Sequence, residues 1–167
     1  MAATFERKND SAPPGAVFHW ALSGAPSVVA VGTDSLGAAA TPYVTSIFIP
    51  AGLITGIAWL IGSVGGTNTA IVYLWDKDGN LIANSDPAGV TVGSATTMQR
   101  LPFTAPVQLK AGLYFIGVHY NGNTARIRTA VIGDYPTAKP AVTFGTPIAI
   151  TAPSSFTTAQ SPFAHTY

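Results

Sequence analysis

Along the middle of the chain, apolar and polar positions exchange places at every second residue. Tyr43, Thr45, Ile47 and Ile49 fall on one side of such an alternation, with Val44, Ser46 and Phe48 on the other. Side chains alternate between faces in a strand and recur every three or four residues in a helix, so the period of two predicts a strand over 43–49. Pro50-Ala51-Gly52 then supplies a turn. Over 53–61, Leu53, Thr55, Ile57, Trp59 and Ile61 oppose Ile54, Gly56, Ala58 and Leu60, which predicts a central strand buried on both faces. Residues 70–75 (AIVYLW) are dense in β-branched and aromatic side chains, and Asp76-Lys77-Asp78-Gly79-Asn80 reverses the chain into 81–83 as a hairpin. Further strands are expected at 27–31, 96–103, 106–109, 112–120 and 125–131, separated by Gly, Asn or Pro. No window of a dozen residues carries a helical period, and 17 Gly with 13 Pro would interrupt most helices. The pattern therefore predicts an all-β fold, an antiparallel β-sandwich or jelly roll.

The ends follow other rules. Residues 1–26 contain Pro13, Pro14, Gly15 and Pro26 with little alternation, and read as an extended N-terminal arm before a sandwich domain over 27–134. Residues 135–167 contain Pro136, Pro140, Pro147, Pro153 and Pro162, and read as an ordered wrap or second arm with at most short strands, one of them at 148–151. Phe144, Ile148 and Ile150 separate this stretch from apolar-poor disordered sequence. Such groups pack either on the parent sandwich or on a neighbouring subunit, and the sequence does not choose.

Composition sharpens the picture. Of 167 residues only 9% are charged and 47% are hydrophobic, against about a quarter charged in an average domain. The surface must be built from Thr, Ser, Gly, Ala and Asn. Solubility usually leans on ionic groups, so we expect partners to cover much of that surface, the alternative being an uncharged exterior like that of many secreted β-proteins. Net charge is +1 and the basic residues are scattered in sequence, which disfavours nucleic acid. Cysteine is absent, so disulfides and thiolate chemistry are excluded. The first ten residues carry charges where a secretory signal needs an apolar stretch, and no signal peptide is expected. Residues 47–64 are uncharged, yet Pro50 and recurring Gly argue against a membrane span.

Candidate chemistry is sparse. Six of the seven acids are Asp, and most of the seven sit in expected turns, where Asp is favoured by local hydrogen bonds, or in the arm; they read as structural rather than as the pair of carboxylates facing one cleft that glycosidase work needs. His19, His119 and His165 show no metal-binding spacing, and His119 reads as a packed structural histidine. No GxSxG elbow exists, and the calcium-like run 76–80 lacks the closing Glu, so it reads as a hairpin turn. Residues 62–66 are Gly-rich without a P-loop lysine. Trp59 and Trp75 read as core, whereas Trp20 is freer to stack on a sugar. Arg126 and Arg128 alternate with Ile127 and present a basic outward face, read as an ordinary solvated face with a polar contact patch as the alternative. No catalytic residue, cofactor or metal is expected.

The runs IVYLWDKDGNLIA (71–83), LPFTAPVQLKAGLYFIGVHYNG (101–122) and ARIRT (125–129) resemble the β-sandwich modules of bacteriophage virion proteins and some bacterial surface proteins. The shared pattern is a strand ending in LxDxxGxLIA followed by one shaped F..P..L.aGxYfigv. The resemblance implies a non-enzymatic virion structural protein, a decoration protein on the outer capsid surface. Its expected partners are its own copies, for example in a trimer, and the major capsid protein. Phe5, Phe18 and Trp20 in the first arm, with Phe156, Phe163 and Tyr167 in the last, are the expected subunit or capsid contacts. The alternative is a carbohydrate- or receptor-binding module of a tail fibre or extracellular protein, using exposed aromatics and loops such as 121–123.

Overall fold

The computed structural model describes residues 19–20, 28–132, 137–154 and 161–167. Among these there are thirteen strands: β1 (His19–Trp20), β2 (Val28–Leu36), β3 (Tyr43–Ile49), β4 (Gly52–Leu60), β5 (Thr69–Asp76), β6 (Leu81–Asn84), β7 (Val90–Thr91), β8 (Met98–Leu109), β9 (Gly112–Tyr120), β10 (Arg126–Ile132), β11 (Thr137–Ala138), β12 (Ser161–Pro162) and β13 (Ala164–Thr166). Every pairing is antiparallel, as the period of two and the short turns demand.

The strands form two packed layers. The back sheet runs β11-β3-β9-β5-β6, with β7 also on β5. The front layer joins two ladders, β8-β4-β13-β1 and β2-β10-β12. Ile61 bridges Ile127 directly, and beyond that point residues 161–166 enter between β4 and β10. Phe163 stitches the seam: its N–H donates to the Arg128 carbonyl at 3.0 Å and its carbonyl accepts from the Leu60 N–H at 2.9 Å.

Between the layers lies the main core, drawn from both: Ile47, Ile49, Ile116 and Val118 behind, and Ile57, Trp59, Leu101, Phe103 and Ile127 in front. Trp59 is fully buried, and its Nε1 donates to the Tyr120 hydroxyl at 2.8 Å, which satisfies a polar group that would otherwise be stranded. A second, smaller core lies on the outer side of the back sheet. Val44, Ile71, Tyr73, Trp75 and Phe115 pack there, and Phe144, Ile150 and Ala152 from the Pro-rich segment cover them. Gly117 makes this possible, because a Cβ there would stand 2.6 Å from the Trp75 ring.

Several expectations need correction. Residues 148–151 form no strand; they run over the back sheet, where the Ile148 carbonyl accepts from Trp75 Nε1 at 2.8 Å and the Ile150 N–H donates to the Gly79 carbonyl at 2.9 Å. Those side-chain and turn bonds replace a ladder. The stretches 96–103 and 106–109 are one strand, β8, whose ladder with β4 is irregular between Ile54 and Gly56 and leaves Thr104, Ala105 and Pro106 exposed. β4 is not buried throughout, since Leu53 is 47% exposed at its start. The apolar run 47–64 belongs to the β3–β4 hairpin, and no helix among the described residues is long and apolar enough to cross a membrane.

Candidate functional site

Possible reaction centres come first, and none assembles among the described residues. The run 76–80 is a turn: Asp76 Oδ1 accepts the N–H groups of Asp78 and Asn80, both at 2.9 Å, and Gly79 takes φ +87°. Hydrogen bonding from Asn80 holds the Asp76 carboxyl below its ordinary range. The carboxylate is used by the turn. His119 lies fully buried on the outer side of the back sheet, with Phe144 edge-on at 5.3 Å and the Tyr73 hydroxyl 3.4 Å from Nδ1. Burial pushes its imidazole down to about 4, because a charged ring would have to leave water. It is a core histidine beneath the wrap. No group of three His, Asp or Glu side chains that could hold a metal occurs among the described residues. A groove of about 490 Å³ between 138–141 and 149–154 is lined mainly by Ala and Pro, and its one cation, Lys139, caps the Tyr43 ring at 4.3 Å.

The outer face of the front layer is different. Ile127 and Leu101 point into the core, so their neighbours Arg126, Arg128 and Arg100 point away from it. These are all the arginines among the described residues. Arg128 Nη1 lies 3.2 Å from Asp34 Oδ1 on β2, and the Ser63 N–H donates to Asp34 Oδ2 at 3.0 Å. Hydrogen bonding from Ser63, helped by the guanidiniums of Arg128 and Arg126, holds the Asp34 carboxyl below its usual range. Arg100 is exposed and its guanidinium sits 4.0 Å from the centre of the Tyr167 ring.

Tyr167 is in turn fixed by backbone. Its carbonyl accepts from the Thr55 N–H at 2.7 Å, from Thr55 Oγ1 at 3.0 Å and from the Gly56 N–H at 3.3 Å, while its N–H donates to the Gly56 carbonyl at 3.1 Å. Gly56 is required by the close approach, for a Cβ there would stand 2.5 Å from the Tyr167 hydroxyl. The ring and the guanidinium are thus presented as a fixed pair. On the same face Met98, two residues from Arg100, is exposed beside the half-buried Leu60, and Leu36 is exposed on β2 in register with Arg126.

The expected contact residues divide accordingly. Phe163 and Tyr167 are half-buried and belong to the β12–β13 segment that closes the front layer. Trp20 lies in β1, in register with His165 of β13. Phe5, Phe18 and Phe156 fall outside the described residues. Arg126 and Arg128 face outward as expected, and Arg128 is in addition ion-paired to Asp34, both side chains staying partly accessible. Arg100 was missed as a member of this face; its alternation with Leu101 on an outward position was the available signal. Trp59 and Trp75 are fully buried, as their reading as core residues expects. No protein-family model matches the sequence, and neither a curated protein nor a solved structure matches it.

Proposed function

We propose that this chain is a non-enzymatic structural protein of a virion, a decoration protein that binds and reinforces the outer capsid as a homo-oligomer. One observation supports this reading most: the two outer faces are built for different uses. The back sheet's outer face is covered by the chain's own residues 139–152, whereas the front face holds Arg100, Tyr167 and Met98 outward on a rigid ladder. Arginine, tyrosine and methionine are the side chains enriched where proteins meet, because each combines contact area with a directed or adaptable contact. Low overall charge fits a surface that is covered in the working state. Repetition over a shell then adds many weak contacts into a strong attachment.

The test is composition of the particle. Virions purified from the source culture should contain the chain in fixed proportion to the major capsid protein, measured by quantitative mass spectrometry. Particles that lack it, together with saturable binding on a glycan array, would support the carbohydrate-binding module instead.

A further inference from the structure

We infer that the front face is a docking surface for an acidic protein surface, one that presents carboxylates among apolar side chains; this rests on the adhesion reading above and deepens it by naming the partner's chemistry. The argument starts with the distribution of charge. Every described arginine stands on this one face, and the one acid that the register places opposite them, Asp34, is committed to Arg128 and Ser63. The described lysines stand elsewhere: Lys77 in the β5–β6 turn, Lys110 in the β8–β9 turn and Lys139 in the wrap. Scattered along the sequence, the arginines are gathered by the fold.

Their spacing decides the size of the ligand. Arg100 is on β8, in register with Ala58 of β4, which is in register with His165 of β13; Arg128 is on β10, bonded through its carbonyl to Phe163. Three strand spacings of about 4.8 Å therefore separate the two arginines across the sheet, on the order of 14 Å. One small anion cannot bridge that span. A protein patch of standard size, about 800 Å² per partner, covers it easily.

The apolar residues on the same face decide the class of macromolecule. Met98, two residues from Arg100, is 41% exposed and Leu36, in register with Arg126, is 46% exposed, while Ala58 and His165, which the register sets between Arg100 and Arg128, are buried. A phosphate backbone gains nothing from apolar groups, whereas a protein surface removes them from water while its carboxylates meet the guanidiniums. Arg100 is already oriented by the Tyr167 ring, so less side-chain freedom is lost when it docks.

The experiment uses the full chain and two pairs of charge reversals that change net charge equally. R100E/R126E alters the face; K77E/K110E alters turns away from it. Binding is measured by isothermal titration to an immobilisation-free 20-residue peptide of Glu and Leu, and to a DNA duplex of equal charge, at low and high salt, with circular dichroism confirming each fold. The wild type should bind the peptide with an affinity that falls with salt. R100E/R126E should weaken binding at least tenfold and K77E/K110E less than twofold. R126E alone, which leaves the Arg100–Tyr167 stack in place, should weaken it about threefold and guards against misfolding of the double variant. Equal losses in both pairs, no binding by the wild type, or tighter binding to DNA than to the peptide would overturn the inference. Absence of the chain from virions would instead overturn the capsid reading and leave these outcomes standing.

Discussion

The two outer faces of the sandwich began from the same alternation and ended in opposite states. On the back sheet, the outward positions Ile71, Tyr73, Trp75 and Phe115 are apolar, and the chain folds its own Pro-rich segment over them. On the front layer the outward positions include Arg100, Arg126, Arg128 and Tyr167 beside single apolar residues such as Met98 and Leu36, and β12–β13 completes the sheet within its plane. Apolar outward residues demand a cover, since each large side chain left in water forgoes about 1.5–3 kcal/mol. Arginine and tyrosine do not, because their polar ends stay solvated until a partner arrives. The same Pro-rich tail region thus serves as a lid on one face and as a structural strand in the other.

The contrast can be broken most severely at Trp75. Replacing it by Ala removes a fully buried indole and the bond to the Ile148 carbonyl, and should cost about 3–5 kcal/mol in chemical denaturation. Protease sensitivity should appear first within 139–152.

Acid attacks the same face next. His119 titrates near 6.5 when unfolded and at about 4 when folded. Between those values the unfolded chain binds more protons, so stability is full above pH 6.5 and falls as pH drops to about 4, by about 3 kcal/mol. Denaturation midpoints measured from pH 7 to pH 4 should follow that slope, and His119→Phe should flatten most of it. His165, whose imidazole is lowered by burial and then by Arg100, contributes with the same sign.

Gly117→Ala is a smaller and more local probe. The new Cβ would press on the rigid Trp75 ring, and overpacking of this kind costs about 1–3 kcal/mol in thermal or chemical unfolding. Smallest of all should be Arg100→Ala on the front face. A part-exposed cation–π contact is worth about 0.5–1 kcal/mol, so stability should scarcely change while binding suffers.

How far the sequence announced this arrangement depends on the range of the interaction. The strand 112–120 is read with the bounds it has, because it is a continuous run rich in apolar and aromatic residues whose ends Gly112 and Asn121 mark. β2 runs on to Leu36, well beyond the expected 31, since Gly32, Thr33, Asp34 and Ser35 look like a loop until β10 pairs with them. That is tertiary pairing overriding local propensity. The hairpin at 76–80 was legible because its chemistry is local to five residues. By contrast, 148–151 has a strand's composition but finds its hydrogen-bond partners in an indole and a turn. The arginine face was hidden for the same reason: Arg100 and Arg128 are brought to one side by β4 and by a segment near the end of the chain. No local pattern records that meeting.

The contrast between the outer face of the back sheet, which residues of 139–152 cover, and the arginine face proposed above to dock a partner has a direct test in hydrogen–deuterium exchange. The chain is compared free and mixed with the virions that the proposed function names. Slowed exchange at 98–101, 126–128 and 163–167, with 139–152 unchanged, is the predicted result. New protection confined to 139–152, with the front strands exchanging as they do in the free chain, would contradict the account.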